Sequence, residues 1–227
     1  MGTVKPYSNR TQAGKQLALA LRHYARDPAA IVLALPRGGV PVGFAVAQAL
    51  GLALDILLVR KLGMPGQEEY AFGAVAIGGI RVLQREVLRE AGITPETLEA
   101  MCARQMAELA EREHRYRGTR PPPDLAGHTA ILVDDGLATG ATMLAAIALA
   151  NAGNPARTVV AVPVGAPDTC AELESEVDEL VCPLRPPMFR AVGKWYRQFD
   201  QTTDQEVIDL LTRAWHEQEP HRGAIHP

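Results

Sequence analysis

Two adjacent carboxylates, Asp134 and Asp135, follow a predicted buried strand and precede a turn rich in glycine and threonine. The run reads Val-Asp-Asp-Gly-Leu-Ala-Thr-Gly-Ala-Thr over residues 133–142 and leads into a helix predicted at 143–151. Open α/β sheets bind their ligands at the carboxyl ends of the strands. Backbone N–H groups at a helix N-terminus, together with hydroxyl groups, suit a phosphate. The run therefore indicates a site for a ligand with hydroxyls at one end and phosphate at the other, such as a sugar phosphate.

The same run resembles the 5-phosphoribosyl-1-pyrophosphate (PRPP) motif of the type I phosphoribosyltransferases, in which two acids and a Thr-Gly-x-Thr turn follow an apolar strand. The resemblance implies that Asp134 and Asp135 bind the ribose hydroxyls. It also implies that the 5′-phosphate is bound by Ala138, Thr139, Gly140, Ala141 and Thr142. An ordinary capped helix would explain one aspartate and one threonine. It does not explain two adjacent acids followed by two glycines and two threonines.

A second segment, Leu-Pro-Arg-Gly-Gly at 35–39, ends a predicted strand and precedes a helix. Two glycines allow the backbone to approach an anion closely, and Arg37 adds a charge with forked donors. The segment resembles the family's pyrophosphate loop, which would comprise Pro36, Arg37, Gly38 and Gly39. That resemblance implies a catalytic role for Arg37 and a cis peptide at Pro36–Arg37. Taken alone, the segment is equally consistent with a strand-to-helix turn bearing a surface arginine.

A third segment places Arg60 and Lys61 at the end of a predicted strand, before a glycine-proline run at 63–66. It resembles the start of the flexible catalytic loop of the family, especially in adenine phosphoribosyltransferases. The resemblance implies a lid that brings positive charge to the leaving group, with Lys61 as the better catalytic candidate. Such lids exclude water and would protect an activated sugar from hydrolysis. The alternative is that both cations are solvated charges at a strand end.

Aromatic residues make up only 5% of the chain, yet four of them fall within 189–199. Aromatic faces near a sugar site can stack on a planar base. The run loosely resembles the C-terminal hood of purine phosphoribosyltransferases, which implies that Phe189 stacks on the base. The competing interpretation is that these rings only join the C-terminal segment to the core. Ala138 stands where the hypoxanthine-guanine enzymes carry a further acid, so the acceptor is left open.

Alternating strand and helix patterns predict an α/β fold, with a doubly wound, mainly parallel central sheet flanked by helices. Predicted strands cover 31–35, 55–59, 71–77, 80–83, 129–132, 158–162 and 179–182, and predicted helices cover 11–24, 40–50, 95–117, 143–151 and 169–176. We expect one domain over 1–216, with a helical insert at about 95–117 and a small hood of N- and C-terminal segments at about 183–216. A frayed tail is expected at 217–227. Mixed charges in the insert, with Glu108–Arg112 and Glu111–Arg115 spaced for pairing, indicate a solvated face.

Composition narrows the class of protein. The 227 residues, 47% hydrophobic and 22% charged, are typical of one soluble globular α/β domain. The formal charge of −3 argues against a nucleic-acid binder with a broad basic surface. Three cysteines without CxxC spacing, a polar N-terminus and no long apolar run favour the cytoplasm and argue against a membrane protein. We expect a homodimer.

These features together resemble an uncharacterised branch of the type I phosphoribosyltransferases. The resemblance implies an enzyme of nucleotide metabolism that transfers the phosphoribosyl group from PRPP to a nitrogenous acceptor and releases pyrophosphate. The acceptor would be a nucleobase or a related compound. The expected cofactor is Mg²⁺, bound mainly through PRPP and water, with Asp134 and Asp135 as secondary ligands.

Two alternatives from other classes stay open. The chain could be a sensor or regulator that binds PRPP or a nucleotide without catalysis, although Arg37 and Lys61 favour an enzyme. It could also be a phosphate-transfer fold with a phosphorylatable aspartate. The Thr-Gly-Ala-Thr turn directly after the acidic pair argues against the second of these.

Overall fold

The computed structural model describes residues 5–64, 67–76, 81–83 and 85–222. Strands in this part of the chain are β1 Ala30–Ala34, β2 Ala53–Ile56, β3 Val59–Met64, β4 Gln67–Ala76, β5 Arg81–Leu83, β6 Thr129–Val133, β7 Arg157–Ala161 and β8 Glu179–Val181. The α-helices are α1 Arg10–Ala20, α2 Gly39–Leu50, α3 Arg85–Glu90, α4 Pro95–Arg117, α5 Ala141–Ala152, α6 Pro167–Glu174 and α7 Asp204–Arg222. Short 3-10 helices occupy Arg22–Tyr24 and Val192–Trp195.

A five-stranded parallel sheet in the order β2-β1-β6-β7-β8 forms the centre of the fold. Strands β1 and β6 are apolar and buried along their whole length, as expected where helices cover both faces of a parallel sheet. Apolar clusters lie on the two sides of this sheet. The predicted α/β class with a mainly parallel sheet is therefore confirmed.

The register between β1 and β6 brings the loops of the site together. The two strands run side by side from Ala30 opposite Thr129 to Ala34 opposite Val133. Because both strands end at the same level, the loops that follow them emerge next to each other. One loop contains 36–39 and the other begins with the acidic pair at 134–135.

A second, antiparallel sheet in the order β3-β4-β5 packs against α4 and α5. The single strand predicted at 55–59 is wrong, because the chain divides there into two strands of different sheets. Ile56 ends β2, which pairs with β1, whereas Val59 begins β3 opposite Ala76. The unbroken apolar run at 56–59 hides this division, since it continues from one strand into the next without a turn residue.

Helix α4 confirms the helix predicted at 95–117, with Thr94 capping its N-terminus and Pro95 in the first turn. The expected Glu111–Arg115 pair is present at 2.7 Å. Glu108 instead approaches Arg60 at 2.6 Å and Arg104 at 3.8 Å, so its expected pairing with Arg112 is wrong.

The interpretation of α4 as a solvated face is also wrong at its C-terminal end. The Arg117 side chain is 4% exposed, lies 2.6 Å from the Asp55 carboxylate and donates a hydrogen bond to the carbonyl of Ile56. Burial raises the pKa of Asp55, and the Arg117 charge opposes that rise. Arg117 also lies 3.4 Å from Glu113. This ion pair fixes the insert to the edge strand β2.

The C-terminal part of the chain combines an irregular segment with a long helix. Residues 183–203 are irregular apart from the 3-10 helix, whereas 204–222 form α7, which packs against α2, β2 and α4. The helix therefore continues through 217–222, where a frayed tail was expected, and 223–227 lie outside the described residues. The buried faces of Val207, Leu211 and Ala214 recur at helical spacing and anchor it.

Two further observations concern the cysteines and the apolar character of the helices. The three cysteines are free and buried. Among the helices of the described part of the chain, none combines the length and the apolar character needed to span a bilayer.

The buried ion pair gives a stability prediction. Arg117→Met should lower the free energy of unfolding at pH 7 by about 3–5 kcal/mol, because Asp55 and Glu113 lose their compensating charge. The folded-state pKa of Asp55 would rise further without Arg117, so the deficit is largest at neutral pH and shrinks as Asp55 protonates toward about pH 4. Urea unfolding at both pH values measures this difference.

The matched control is Arg112→Met, which removes an exposed arginine of the same helix. Its effect should stay within about 0.5 kcal/mol. Equal losses for the two variants, or a deficit in Arg117→Met that does not change with pH, would contradict the structural role given to Arg117.

Candidate functional site

The loop after β1 lies directly against the end of β6. The amide of Leu35 donates to the carbonyl of Val133 at 2.8 Å, and the Pro36–Arg37 peptide is cis, as expected from the resemblance. A Cβ built on Gly38 would lie 2.2 Å from a carboxylate oxygen of Asp135. One built on Gly39 would lie 2.6 Å from the Val133 carbonyl. A side chain at Gly39 would collide with backbone, and a side chain at Gly38 would have to displace the Asp135 carboxylate.

The two adjacent acids are partly buried, and their carboxylates accept hydrogen bonds from different donors. One oxygen of Asp134, Oδ1, accepts a hydrogen bond from the Asp135 amide at 2.8 Å. One oxygen of Asp135, Oδ2, accepts from Arg10. The burial of Asp134 and the neighbouring Asp135 charge raise its pKa well above the usual range. Burial also raises the pKa of Asp135, and the Arg10 guanidinium opposes that rise. Each acid thus keeps one oxygen without a hydrogen bond to the described protein.

The turn after the acids leads straight into α5. Ala138, Thr139 and Thr142 are exposed, and the two threonine hydroxyls have no hydrogen-bond partner among the described residues. Gly140 stands at the start of α5 with φ of 74°, a left-handed conformation that favours glycine. The turn therefore combines free hydroxyls with the N-terminus of a twelve-residue helix, the combination that binds phosphates.

Helix α6 and the segment that connects β7 to it hold this turn from behind. The Leu137 amide donates to the Val164 carbonyl at 2.9 Å, and the Ala166 amide donates to the Leu137 carbonyl at 2.8 Å. The Thr169 hydroxyl donates to the Ala138 carbonyl at 2.7 Å. These bonds fix the backbone of the turn from its inner side, and its outer side remains exposed.

Arg10 and Tyr196 are site residues that the sequence analysis missed. Two guanidinium nitrogens of Arg10 lie 2.8 and 2.9 Å from Oδ2 of Asp135, and the Tyr196 hydroxyl donates to the Asp135 carbonyl. Burial and the Asp135 charge raise the pKa of Tyr196. Arg10 precedes Asp135 by 125 positions, so no local spacing in the sequence could have linked them.

The expected catalytic arginine has an acidic neighbour. Arg37 lies 3.5 Å from Asp204, the first residue of α7. Asp204 also accepts hydrogen bonds from Arg115 at 2.8 Å and from the Tyr116 hydroxyl at 2.7 Å. These two bonds lower the pKa of Asp204. The pyrophosphate-like loop is thus connected to α4 and α7 through one carboxylate.

The expected lid begins as a β-strand. Arg60 and Lys61 lie in β3, which forms a hairpin with β4, and the turn residues 65–66 lie outside the described residues. Arg60 pairs with Glu108 of α4 at 2.6 Å. Lys61 has no ion-pair partner among the described residues and lies opposite Ala74. Of the two cations, Lys61 is the one whose charge is not already matched by an acid.

The aromatic run forms a small cluster beside the acidic pair. Phe189 and Trp195 pack, partly buried, against Val164 and Tyr196. The N-terminal segment joins this cluster, since Tyr7 pairs with Trp195 and Arg197 through backbone hydrogen bonds of 2.8 Å. The N- and C-terminal segments therefore meet in this cluster, and Phe189 makes packing contacts within it.

The side chains at the site limit how a metal ion could be bound there. Among the described residues, no group of three or more His, Cys, Asp or Glu side chains is arranged to hold a metal ion. Asp134 and Asp135 each have one oxygen committed to a protein donor. The pair fits a ligand's hydroxyls or a hydrated Mg²⁺ already bound to phosphate, and does not form a metal cage of its own.

Two cavities lie away from this centre. One of about 610 Å³ lies between α2 and α7 at the amino ends of β1 and β2, near Phe44, Leu52 and Ala214. Another of about 310 Å³ lies beside Arg117 and 122–125. The first cavity is at the wrong end of the sheet, since ligands of parallel sheets bind at the carboxyl ends of the strands. The linings of both cavities lack the acidic pair and the loops at 36–39 and 138–142, so neither is the candidate site.

Comparison with known proteins gives a consistent result. A family model described as "Phosphoribosyl transferase domain" matches residues 3–199. The chain is 45% identical over 222 residues to a Mycobacterium tuberculosis protein named "Putative phosphoribosyl transferase", covering 98% of this chain and 50% of that protein. The chain therefore spans about half the length of this relative. It is also 32% identical over 129 residues to the bifunctional protein PyrR of Chloroflexus aurantiacus, covering 56% of this chain and 65% of that protein.

A solved structure extends the similarity to the whole fold. The crystal structure of TT1426 from Thermus thermophilus superposes with a TM-score of 0.83 at 43% sequence identity. The match covers 92% of this chain and 98% of that chain. The paired acids, the phosphate-binding type of turn and the cis Pro36–Arg37 loop occur within the region that the family model matches. The chain accordingly belongs to the phosphoribosyl transferase domain family.

Proposed function

We propose that this protein transfers the 5-phosphoribosyl group from PRPP to a nitrogenous acceptor and releases pyrophosphate. The observation that carries the proposal is the meeting of three elements at one sheet edge: the acids Asp134 and Asp135, the turn at 138–142 and the cis loop at 36–39. Membership of the phosphoribosyl transferase domain family supports it. PRPP has matching parts, which are a vicinal diol, a 5′-phosphate and a pyrophosphate.

The acidic pair is assigned to the ribose. Each acid offers one oxygen that makes no hydrogen bond to the described protein, and a vicinal diol has two hydroxyls to donate. Two such charge-assisted hydrogen bonds would hold the sugar ring in one orientation. Orientation is the larger part of catalysis here, since a fixed ring exposes C1 to the acceptor on one face only.

The turn at 138–142 is assigned to the 5′-phosphate. The hydroxyls of Thr139 and Thr142 and the N-terminus of α5 supply donors and positive potential. Thr169 and the segment between β7 and α6 hold the backbone of the turn in place before the ligand arrives. Binding therefore needs little rearrangement of the protein.

Arg37, Lys61 and the backbone of Gly38 and Gly39 are assigned to the leaving pyrophosphate. The bond between C1 and the pyrophosphate oxygen breaks as the ring becomes oxocarbenium-like, and negative charge grows on the departing oxygen. Positive groups fixed near that oxygen stabilise this state more than the ground state. Mg²⁺, when bound to the substrate, would neutralise part of the pyrophosphate charge. Asp204 holds the Arg37 side chain in place on the loop at 36–39. Lys61, on the β3–β4 hairpin, can approach the leaving pyrophosphate.

The acceptor is assigned to the side of the aromatic cluster, with Phe189 as the stacking candidate. Stacking by an aromatic ring tolerates several planar bases. Ala138 supplies no proton acceptor, so the acceptor's proton leaves through a group outside the PRPP turn or through water. The acceptor is accordingly a planar nitrogen compound, and the turn at 138–142 does not determine which one.

A second candidate function is a sensor that binds PRPP without transfer. The specific observation in its favour is that Arg37 and Arg60 are both matched by carboxylates, Asp204 and Glu108. Lys61, which has no such partner among the described residues, favours the transferase. Turnover distinguishes the two, since only the transferase releases pyrophosphate.

The first prediction concerns that release. The protein incubated with PRPP, Mg²⁺ and a panel of purines, pyrimidines and related amides should release pyrophosphate with at least one acceptor. Asp134→Asn combined with Asp135→Asn should abolish PRPP binding while circular dichroism and the melting temperature show a folded protein. PRPP binding without release from any acceptor would leave the sensor. Undiminished binding by the double variant would refute the ribose assignment.

The second prediction uses the close approach at Gly38. Gly38→Ala should weaken PRPP binding by about tenfold or more, because the added methyl group would push the Asp135 carboxylate out of place. The control is Gly118→Ala, where no atom lies within 4 Å of the new methyl group but φ is 61°. That variant should lose about 1 kcal/mol of stability through backbone strain and keep its PRPP affinity. Isothermal titration calorimetry would measure both affinities.

The third prediction separates binding from chemistry. Lys61→Gln should lower kcat by about 100-fold, with a smaller change in KM for PRPP, because its charge acts on the leaving group. Lys15→Gln, a change of the same type on the exposed face of α1, should leave both constants unchanged. A Lys61→Gln variant with wild-type kcat would remove Lys61 from the catalytic assignment.

A further inference from the structure

One guanidinium group joins three separate parts of the chain at the site. Arg10, the first residue of α1, contacts Oδ2 of Asp135 through Nε at 2.9 Å and Nη2 at 2.8 Å. Its Nη1 donates to the Asp200 carbonyl at 2.6 Å. The guanidinium carbon lies 3.9 Å from the centroid of the Phe199 ring. The Arg10 side chain is 12% exposed and that of Asp135 is 15% exposed, so the contact between these two charges is largely shielded from water. Asp200 and Phe199 are exposed.

The residues that Arg10 reaches belong to the aromatic side of the site. Residues 189–200, called the hood segment below, contain the 3-10 helix and the aromatic cluster. Phe199 packs on Tyr196 with ring centroids 5.0 Å apart and leaves no room for a side chain at Gly193. Tyr196 in turn donates to the Asp135 carbonyl. The hood segment is therefore connected to Asp135 twice, through Tyr196 at the backbone and through Arg10 at the carboxylate.

The chemistry of these contacts requires an arginine. A planar guanidinium can donate in its plane to Asp135 and Asp200 while its face lies on the Phe199 ring. A lysine ammonium has one charged centre and cannot make all three contacts at once. Arg10 places its charge on the Asp135 carboxylate and its face on the hood segment.

We infer that Arg10 is a positioning residue that couples sugar binding at Asp135 to the ordering of the hood segment. The inference rests on the proposed function, since the ligand at Asp135 is taken to be the ribose of PRPP. When the ribose hydroxyl binds the remaining oxygen of Asp135, the carboxylate and Arg10 are held together and the hood segment is held with them. Binding on the sugar side then favours the arrangement of the acceptor side, and the coupling is reciprocal.

The experiment measures backbone amide hydrogen exchange of the hood segment with and without PRPP and Mg²⁺, together with PRPP affinity. In the wild-type protein, saturating PRPP should slow exchange in 189–200. Arg10→Gln should weaken PRPP binding by about tenfold and lose the ligand-dependent slowing, even when PRPP is raised to saturation. Arg10→Lys keeps the charge, so it should recover much of the affinity but not the slowing of exchange. Phe199→Leu should also reduce that slowing.

Arg22→Gln is the matched control. It removes an exposed arginine just beyond the same helix, and it should bind PRPP and slow exchange as the wild type does. Equal slowing in Arg10→Gln and the wild type at saturation, or no change in wild-type hood exchange on PRPP binding, would overturn the coupling and leave the proposed function standing. A wild-type protein that binds no PRPP would overturn both.

Discussion

The parallel register between β1 and β6 is the constraint on which the site depends. Because Ala34 and Val133 end opposite each other, the loop at 36–39 and the acids at 134–135 share one edge of the sheet. They are so close that Gly38 has no space for a side chain beside Asp135. Displacing either strand by one residue would move the loop at 36–39 away from the acids at 134–135. The burial of both strands on both faces makes such a displacement costly.

Burial raises the pKa of both carboxylates, the Asp135 charge raises that of Asp134 further, and the protein offsets the cost locally. Arg10 brings a positive charge from α1, and the Asp135 amide donates to Asp134. The same compensation recurs at the C-terminal end of the insert, where Arg117 lies beside Asp55. In both places one arginine neutralises a buried acid and also joins distant elements. Electrostatic compensation and tertiary connection are thus performed by the same side chains.

The features predicted from the sequence lie within contiguous segments, whereas the features it missed are contacts between residues far apart in the chain. The acidic turn, the cis loop and helix α4 are contiguous segments, so residue order was enough to place them on the fold. The contacts that join Arg10, Asp204 and Arg117 to other elements span 61 positions for Arg117 to Ile56 and 190 positions for Arg10 to Asp200, and such pairings leave no periodic signal. The face of α4 was misread for the same reason. The sequence of a charged helix is similar whether its side chains contact water or other elements of the fold. The division between β2 and β3 was hidden because an apolar run connects the two strands.

The most direct measurement of how this site is used is a crystal structure of the protein grown with PRPP and Mg²⁺. The ribose 2′ and 3′ hydroxyl oxygens should lie about 3 Å from carboxylate oxygens of Asp134 and Asp135. The 5′-phosphate should lie in the turn at 138–142, and the pyrophosphate should face Arg37. A sugar ring bound elsewhere, such as the cavity between α2 and α7, or a phosphate that leaves the threonines of the turn without contact, would contradict the proposed site.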